Sequence, residues 1–107
     1  MITFKDREKG FEKKFALDEE MKFKANVRCN RLVGLWAAQR LGLADAAADA
    51  YAKEIVMIGF ENPGSDSVFT KLRTDFDAHG VVQSDHQIRR TLEEFMLSAI
   101  AEIRAGG

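Results

Sequence analysis

An all-α fold is predicted for this chain, namely a small four-helix bundle preceded by a helical or partly disordered N-terminal extension, and three observations predict it. The chain has 107 residues, one domain's worth, with 46% hydrophobic and 31% charged residues, enough for a core and a soluble surface. One Pro and eight Gly are too few breakers for a strand-and-turn architecture. Between the breaks at Gly42, Asn62-Pro63-Gly64-Ser65 and His79-Gly80, apolar residues recur at helical spacing, and no stretch alternates cleanly.

The first helical stretch runs from Thr3, a capping residue with Asp6 at the acid position of a capping-box-like pattern, to Leu41. That is long for a globular helix, so it divides into two parts: a segment over 1–17 and a bundle over 18–107. The later part, from about Asp18, carries Met21, Ala25, Cys29, Leu32, Leu35 and Trp36 in one broad stripe. Phe23 and Val27 fall on another side and predict burial against a further neighbour. The second helix spans about Asp45 to Glu61, with Tyr51, Ile55 and Ile58 stepping by four and three. The third spans about Asp66 to Asp77, capped by Ser65, with Val68, Phe69, Leu72 and Phe76 on its apolar side. The fourth opens on a capping box, Ser84-Asp85-His86-Gln87, and presents Ile88, Leu92, Phe95, Ala99 and Ile103, widened by Met96 and Ile100. No such helix buries its apolar face alone, so the four must pack together.

Composition excludes several classes. The single Cys, Cys29, cannot form an internal disulfide and points to a reducing compartment. The longest uncharged apolar run, Leu32 to Ala38, is far short of a membrane span, and charge begins at Lys5, so no signal-peptide core is expected. The net charge of −1 argues against nucleic acid or an acidic membrane as partner. That average hides an asymmetry: nine basic and six acidic residues up to Arg31 give +3, and seven basic and eleven acidic beyond it give −4.

Catalytic and metal chemistry is weakly represented. Asp75-x-Asp77-x-His79-Gly80 opens like a calcium loop, but the twelfth place, which needs a bidentate Glu, holds His86. His79 and His86 lack the short ligand pairs of zinc sites, so no metal site is assigned. Cys29 lies on an apolar helix face, where a small core residue is the ordinary reading; flanking Arg28 and Arg31 are the argument for a reactive thiol. Phosphate loops, nucleophile elbows and metalloprotease motifs are absent, and no catalytic residue is assigned. Arg89 and Arg90, near a helix N-terminus, are weak candidates for binding an anion or nucleotide.

The informative feature is at the N-terminus. Phe4, Phe11 and Phe15 are spaced by seven and four and fall within about 40° on a helical wheel. Nearly all their neighbours are charged, among them Lys5, Arg7, Glu8, Glu12 and Lys14. A narrow aromatic stripe on a charged helix packs on its own bundle or inserts into a partner's groove. Gly10 costs such a helix about 1 kcal/mol against Ala, which favours folding on the target.

These residues carry a resemblance. The strings Thr3-Phe4-x-Asp6-Arg7-Glu8-x-x-Phe11-Glu12-x-Lys14-Phe15-Ala16, Asn30-Arg31-Leu32-x-Gly34-x-Trp36-Ala37-Ala38 and Ala50-Tyr51-Ala52-Lys53-Glu54-Ile55-Val56, followed by Ile88-Arg89, resemble the zeta-type inhibitor subunit of alphaproteobacterial F1-ATPase. The resemblance covers nearly the whole chain. It implies a four-helix fold and a non-enzymatic regulator whose N-terminal segment wedges into the catalytic F1 head against the rotor and blocks hydrolysis. It also implies a cytoplasmic location at the inner face of the inner membrane through F1, no direct membrane insertion, and weak purine-nucleotide binding, with no other cofactor. Phe4, Phe11 and Phe15 would be the anchors, and Lys5, Arg7, Glu8, Glu12 and Lys14 the register-setting charges. The chain departs from the family at Gly10, where Ala is usual, at Cys29, where a basic residue is common, and at Ala44, where a capping Ser is common, leaving Asp45 as the expected cap. Two rival readings are a nucleotide-binding helical sensor and a generic helical adaptor.

Overall fold

The computed structural model describes residues 18–106, and within them every regular element is a helix. In chain order these are α1 (Glu19–Arg40), α2 (Asp45–Glu61), α3 (Ser67–Ala78) and α4 (Asp85–Arg104). The Thr3 start of the first helical stretch lies outside the described residues. α1 is not entered as a continuous helix: Asp18 is extended (φ −71°, ψ 175°), and its carboxylate accepts from the Met21 amide at 2.8 Å. Asp18 is therefore a side-chain cap that satisfies one of the orphan N–H groups of the first turn, with Glu19 and Glu20 placed to favour the positive end of the helix dipole.

α2 keeps the bounds the sequence predicts, but its cap does not. Ala44 is the N-cap and makes no side-chain bond, while Asp45 is the first helical residue, at φ +52°. Asp tolerates this left-handed region better than most residues, which explains why it stands there. α3 starts one residue later than expected, with Asp66 in the cap position and no bond from its side chain. Ser65 still serves the turn: its hydroxyl accepts from the Ser67 amide at 3.2 Å and donates to the Asn62 carbonyl at 2.7 Å. α4 carries the full capping box, with Gln87 N–H donating to Ser84 Oγ at 3.1 Å and Ser84 N–H donating to Gln87 Oε1 at 3.0 Å.

α1 is the central element, packed chiefly on α2 and then on α4. This changes the predicted stripe. Ala25 and Cys29 are buried as expected, but Val33, Gly34, Ala37 and Ala38 complete the buried set, while Leu35 is exposed and Met21, Leu32 and Trp36 are half-buried. The predicted stripe followed the bulky side chains; a helix gripped by two neighbours buries its small residues where backbones come close. A Cβ built at Gly34 would stand 2.6 Å from Ala52 Cα and 3.1 Å from Ala52 Cβ, so only Gly fits that crossing. The core completed from the other helices is Tyr51, Ile55, Leu72, Phe76, Ile88 and Ala99. Trp36 closes it from the side, edge-on to Phe76 with centroids 5.6 Å apart.

α3 is held differently, by fewer contacts and more polar ones. The Tyr51 hydroxyl donates to Asp75 Oδ2 at 2.7 Å, and Lys71 bridges Asp75 and Glu54 at 3.1 Å each. Burial and the neighbouring Asp75 carboxylate push the Tyr51 hydroxyl far above its ordinary pKa. Arg73 joins α3 to the start of α4, reaching Asp77 at 2.7 Å, the Gln83 carbonyl at 2.6 Å and Asp85 at 3.0 Å. The calcium-like string is thus spent on internal partners: Asp75 faces Tyr51 and Lys71, Asp77 faces Arg73, and His79 Nδ1 lies 2.9 Å from the Asp75 carbonyl.

Gly34→Ala tests the crossing. At an open helical site Gly→Ala gains up to ~1 kcal/mol; here overpacking against Ala52 reverses the sign, and a loss of about 2 kcal/mol is expected in urea or thermal unfolding. Tyr51→Phe, which leaves Asp75 short of one donor, is expected to cost about 1–2 kcal/mol by the same measurement.

Candidate functional site: a groove at the root of the N-terminal segment

The polypeptide enters the bundle at Asp18, and a concavity opens close by. It is a groove of about 480 Å³ between the first half of α1, the end of α2, the Asn62–Asp66 turn, the start of α3 and the middle of α4. Its apolar walls include Phe23, Val27, Val56, Phe60, Phe69 and Met96, and its polar groups include the side chains of Asn26, Asn30 and Asn62.

Each wall has a local cause. Gly59 lets α2 pass directly over the Asn30 side chain; a Cβ there would collide with the Asn30 amide nitrogen. Beyond that crossing the contact between α1 and α2 passes to Phe23 and Phe60, whose rings meet edge to face at 5.9 Å. Both rings are more than half exposed, at 51% and 58%. Phe23 was expected to be buried against a further neighbour; it is not, because no described element covers that side of α1. Val27 is half-buried in the groove wall. The turn that closes the end of the groove is ordered by Asn62, whose amide donates to the Ile58 carbonyl at 3.0 Å, and by Ser65.

Cys29 lies beneath the groove, 3% exposed, with its thiol donating to the Leu92 carbonyl at 3.7 Å. Burial pushes the thiol up from 9.0 to about 11. Arg28 and Arg31 do not offset this, for they turn outward to Glu102 at 3.4 Å and Asp49 at 3.3 Å. Cys29 is a core residue, as its apolar helix face predicts, and burial removes the argument for a reactive thiol. Arg89 stands above the groove mouth, its guanidinium 4.0 Å from the Phe69 centroid and bidentate to Asp66 at 3.3 and 3.4 Å. Arg90 is one residue on and pairs with Glu94 within α4 at 3.0 Å. The two arginines therefore do not converge: only Arg89 reaches the groove, and Asp66 already occupies it. The eight predicted partner-binding residues, Phe4, Lys5, Arg7, Glu8, Phe11, Glu12, Lys14 and Phe15, lie outside the described residues. Among the described residues, no cluster of three or more His, Cys, Asp or Glu side chains is arranged to hold a metal, and no helix is long and apolar enough to cross a membrane.

A family model described as ATPase inhibitor subunit zeta matches residues 1–102, from the N-terminal segment to the last turns of α4. The chain belongs to the ATPase inhibitor subunit zeta family. It is also similar to a protein solved by solution NMR, with 36% identity over 81% of this chain and 99% of that one, and a TM-score of 0.70. No curated protein matches the chain. Membership in the zeta family gives the chain a regulatory role, that of an ATPase inhibitor, and agrees with the resemblance carried by the N-terminal string, the Asn30–Ala38 string and the Ala50–Val56 string. Two of those strings coincide with the tight α1–α2 crossing: Gly34 is in one and Ala52 in the other. Phe23 and Phe60 stand outside all of them. The signals that could have located the groove in the sequence are Gly59 inside an otherwise apolar helix and Phe23 off the main stripe.

The thiol gives a direct check on this packing. Because its folded pKa is raised, Cys29 contributes stability that is present below pH 9 and is lost as pH rises through about 11. At pH 8 the native chain is expected to resist an aromatic disulfide reagent, while the urea-unfolded chain reacts fully; equal rates would show that the groove floor is open.

Proposed function

We propose that the chain is a non-enzymatic inhibitor of ATP hydrolysis by an F1-type ATPase, acting through its N-terminal segment, residues 1–17. Phe4, Phe11 and Phe15 enter the catalytic head as apolar anchors beside the rotor, and Lys5, Arg7, Glu8, Glu12 and Lys14 fix the register by pairing with charges on the partner. The bundle stays outside as a stop. The protein works in the cytoplasm, at the inner face of the inner membrane, because its partner is there. The observation that carries this reading is the family match from residue 1, which takes in the aromatic stripe as well as the bundle. Asp18 supports it from the structural side: a side-chain cap lets α1 and the bundle end cleanly there, so the segment need not be helical for the bundle to be stable.

Energetics are consistent with a wedge. Burying three Phe side chains is worth on the order of 5–9 kcal/mol before the cost of ordering the segment. Gly10 raises that cost by about 1 kcal/mol relative to Ala. Hydrolysis by the cognate F1 is expected to fall on addition of the full chain and to be unaffected by a chain that begins at Asp18. Phe11→Ala is expected to weaken inhibition by about tenfold or more, and Gly10→Ala to strengthen it. Equal inhibition by the full and shortened chains would overturn the mechanism.

A second reading, a purine-nucleotide sensor, draws its support from Arg89 at the groove mouth and from the aromatic and amide side chains lining the groove. ATP or ADP would have to displace Asp66 from Arg89. Nucleotide titration is expected to move the amide resonances of Phe69, Arg89 and Asn62; no movement at millimolar ligand removes this reading.

A further inference from the structure

The groove has no occupant among the described residues, yet its walls are those of a binding site. Phe23 and Phe60 are 51% and 58% exposed, and Met96 lines the same groove half-buried. Exposed aromatic side chains gathered around a thioether mark a surface that something covers. We infer that in the free protein this groove is the docking site of the chain's own N-terminal segment, residues 1–17, through its Phe4, Phe11 and Phe15 stripe.

Three observations select this occupant. The first is where the segment ends. It joins the bundle at Asp18, only five residues before Phe23 in the groove wall. Seventeen residues span up to ~55 Å when extended, more than enough to turn back and lie along the groove, and a short tether holds them at an effective concentration in the millimolar range. The second is apolar complementarity. The segment offers a narrow aromatic stripe on an otherwise charged surface, and the groove offers a narrow apolar trough. The third is charge. Residues 1–17 hold five basic and three acidic side chains, net +2, and residues 18–107 hold eleven basic and fourteen acidic, net −3. At the groove itself Asp66 lines one edge but is bridged to Arg89, so the local acidic side chain that counts is the exposed Glu61, between two lining residues, Phe60 and Asn62. A second copy of the bundle would bring two acidic bodies together, which charge opposes.

Docking would hide the same phenylalanines that the proposed function places in the ATPase. The consequence for inhibition rests on that reading: apparent affinity for the ATPase falls by the fraction of chains that are open. The docking itself does not rest on it and can be tested on the free protein alone.

The full chain carrying Lys5→Cys is spin-labelled at the new thiol, while the buried Cys29 stays unlabelled. Loss of amide signal is then read at Phe60, Asn62 and Val68 around the groove and at Val82 in the connection between α3 and α4. The expected result is strong loss at the three groove amides and little at Val82, in chains that carry both spin label and ¹⁵N. Phe60→Asp and, independently, Phe11→Asp are expected to restore the groove signals. Phe60 is exposed, so its variant keeps the bundle, and Phe11→Asp leaves the bundle and the tether unchanged. Groove amides no more affected than in Phe11→Asp would overturn the inference. So would signal loss appearing only when labelled chains are mixed with separate ¹⁵N chains, which assigns the groove to a second copy. Neither outcome touches the ATPase assay, so failure of the docking and failure of the inhibitory reading are told apart.

Discussion

The contact on which the bundle depends is the one between Gly34 and Ala52. Two helices whose backbones come this close exclude side chains from the crossing point, so the surrounding positions must be small, and they are: Ala37 and Ala38 on α1, like Gly34 and Ala52, are fully or almost fully buried. Close-packed small residues give up bulky apolar area and gain dispersion contacts over a long stretch of backbone. They also fix the geometry, because a helix pair with no flexible side chains between its axes has little freedom to slide. α4 then packs on α1, its capping box and Ile88 setting one end and Ala99 lying further along it.

α3 is added on different terms. Its two wholly buried side chains, Leu72 and Phe76, enter the core, but its remaining connections are a hydroxyl–carboxylate bond, a lysine bridge and an arginine fork. The lysine and arginine pairs contribute little each, and the part-buried Tyr51–Asp75 bond contributes more; together they fix the rotation of α3 while allowing space beside it. The groove is that space. It arises because the tight crossing ends at Asn30 and Gly59 and hands over to two aromatic rings, and because α3 begins only after the Asn62–Asp66 turn.

The sequence makes some of this legible and hides the rest for physical reasons. The bounds of α2 and the start of α4 are local facts, set by breakers and by a capping box, and they were readable. The buried face of α1 was misread because periodicity weighs bulk: Leu35 and Met21 attract attention, whereas Gly34, Ala37 and Ala38, which carry the contact, do not. Asp45 looked like a cap because a carboxylate suits that role, but the backbone places Ala44 there and puts Asp45 in the left-handed region. The groove is a tertiary product of four elements, and its local traces, Gly59 in α2 and Phe23 off the stripe of α1, do not say where the elements leave space. Cys29 is buried, as its apolar helix face predicts, and that burial outweighs the neighbouring arginines. The eight N-terminal residues proposed to bind the partner form a pattern of spacing and charge in the sequence and lie outside the described residues.

Charge divides the chain at the point where the described helices begin. An overall −1 is the sum of a basic segment and an acidic bundle that meet at Asp18. Among the described residues the first helix is capped at Asp18 and the core is closed by Trp36 and Phe76. A segment with three phenylalanines among lysines, arginines and glutamates cannot satisfy its own apolar surface and must find it elsewhere. Two surfaces compete to supply it on the reading proposed above, the groove beside its root and the ATPase that it inhibits. The competition is unequal by design of geometry, because a groove of about 480 Å³ cannot enclose a stripe spread over twelve residues as fully as a deep protein–protein interface can. Weak intramolecular cover that yields to a larger partner surface keeps an aromatic segment soluble while free and leaves most of its binding energy for the target.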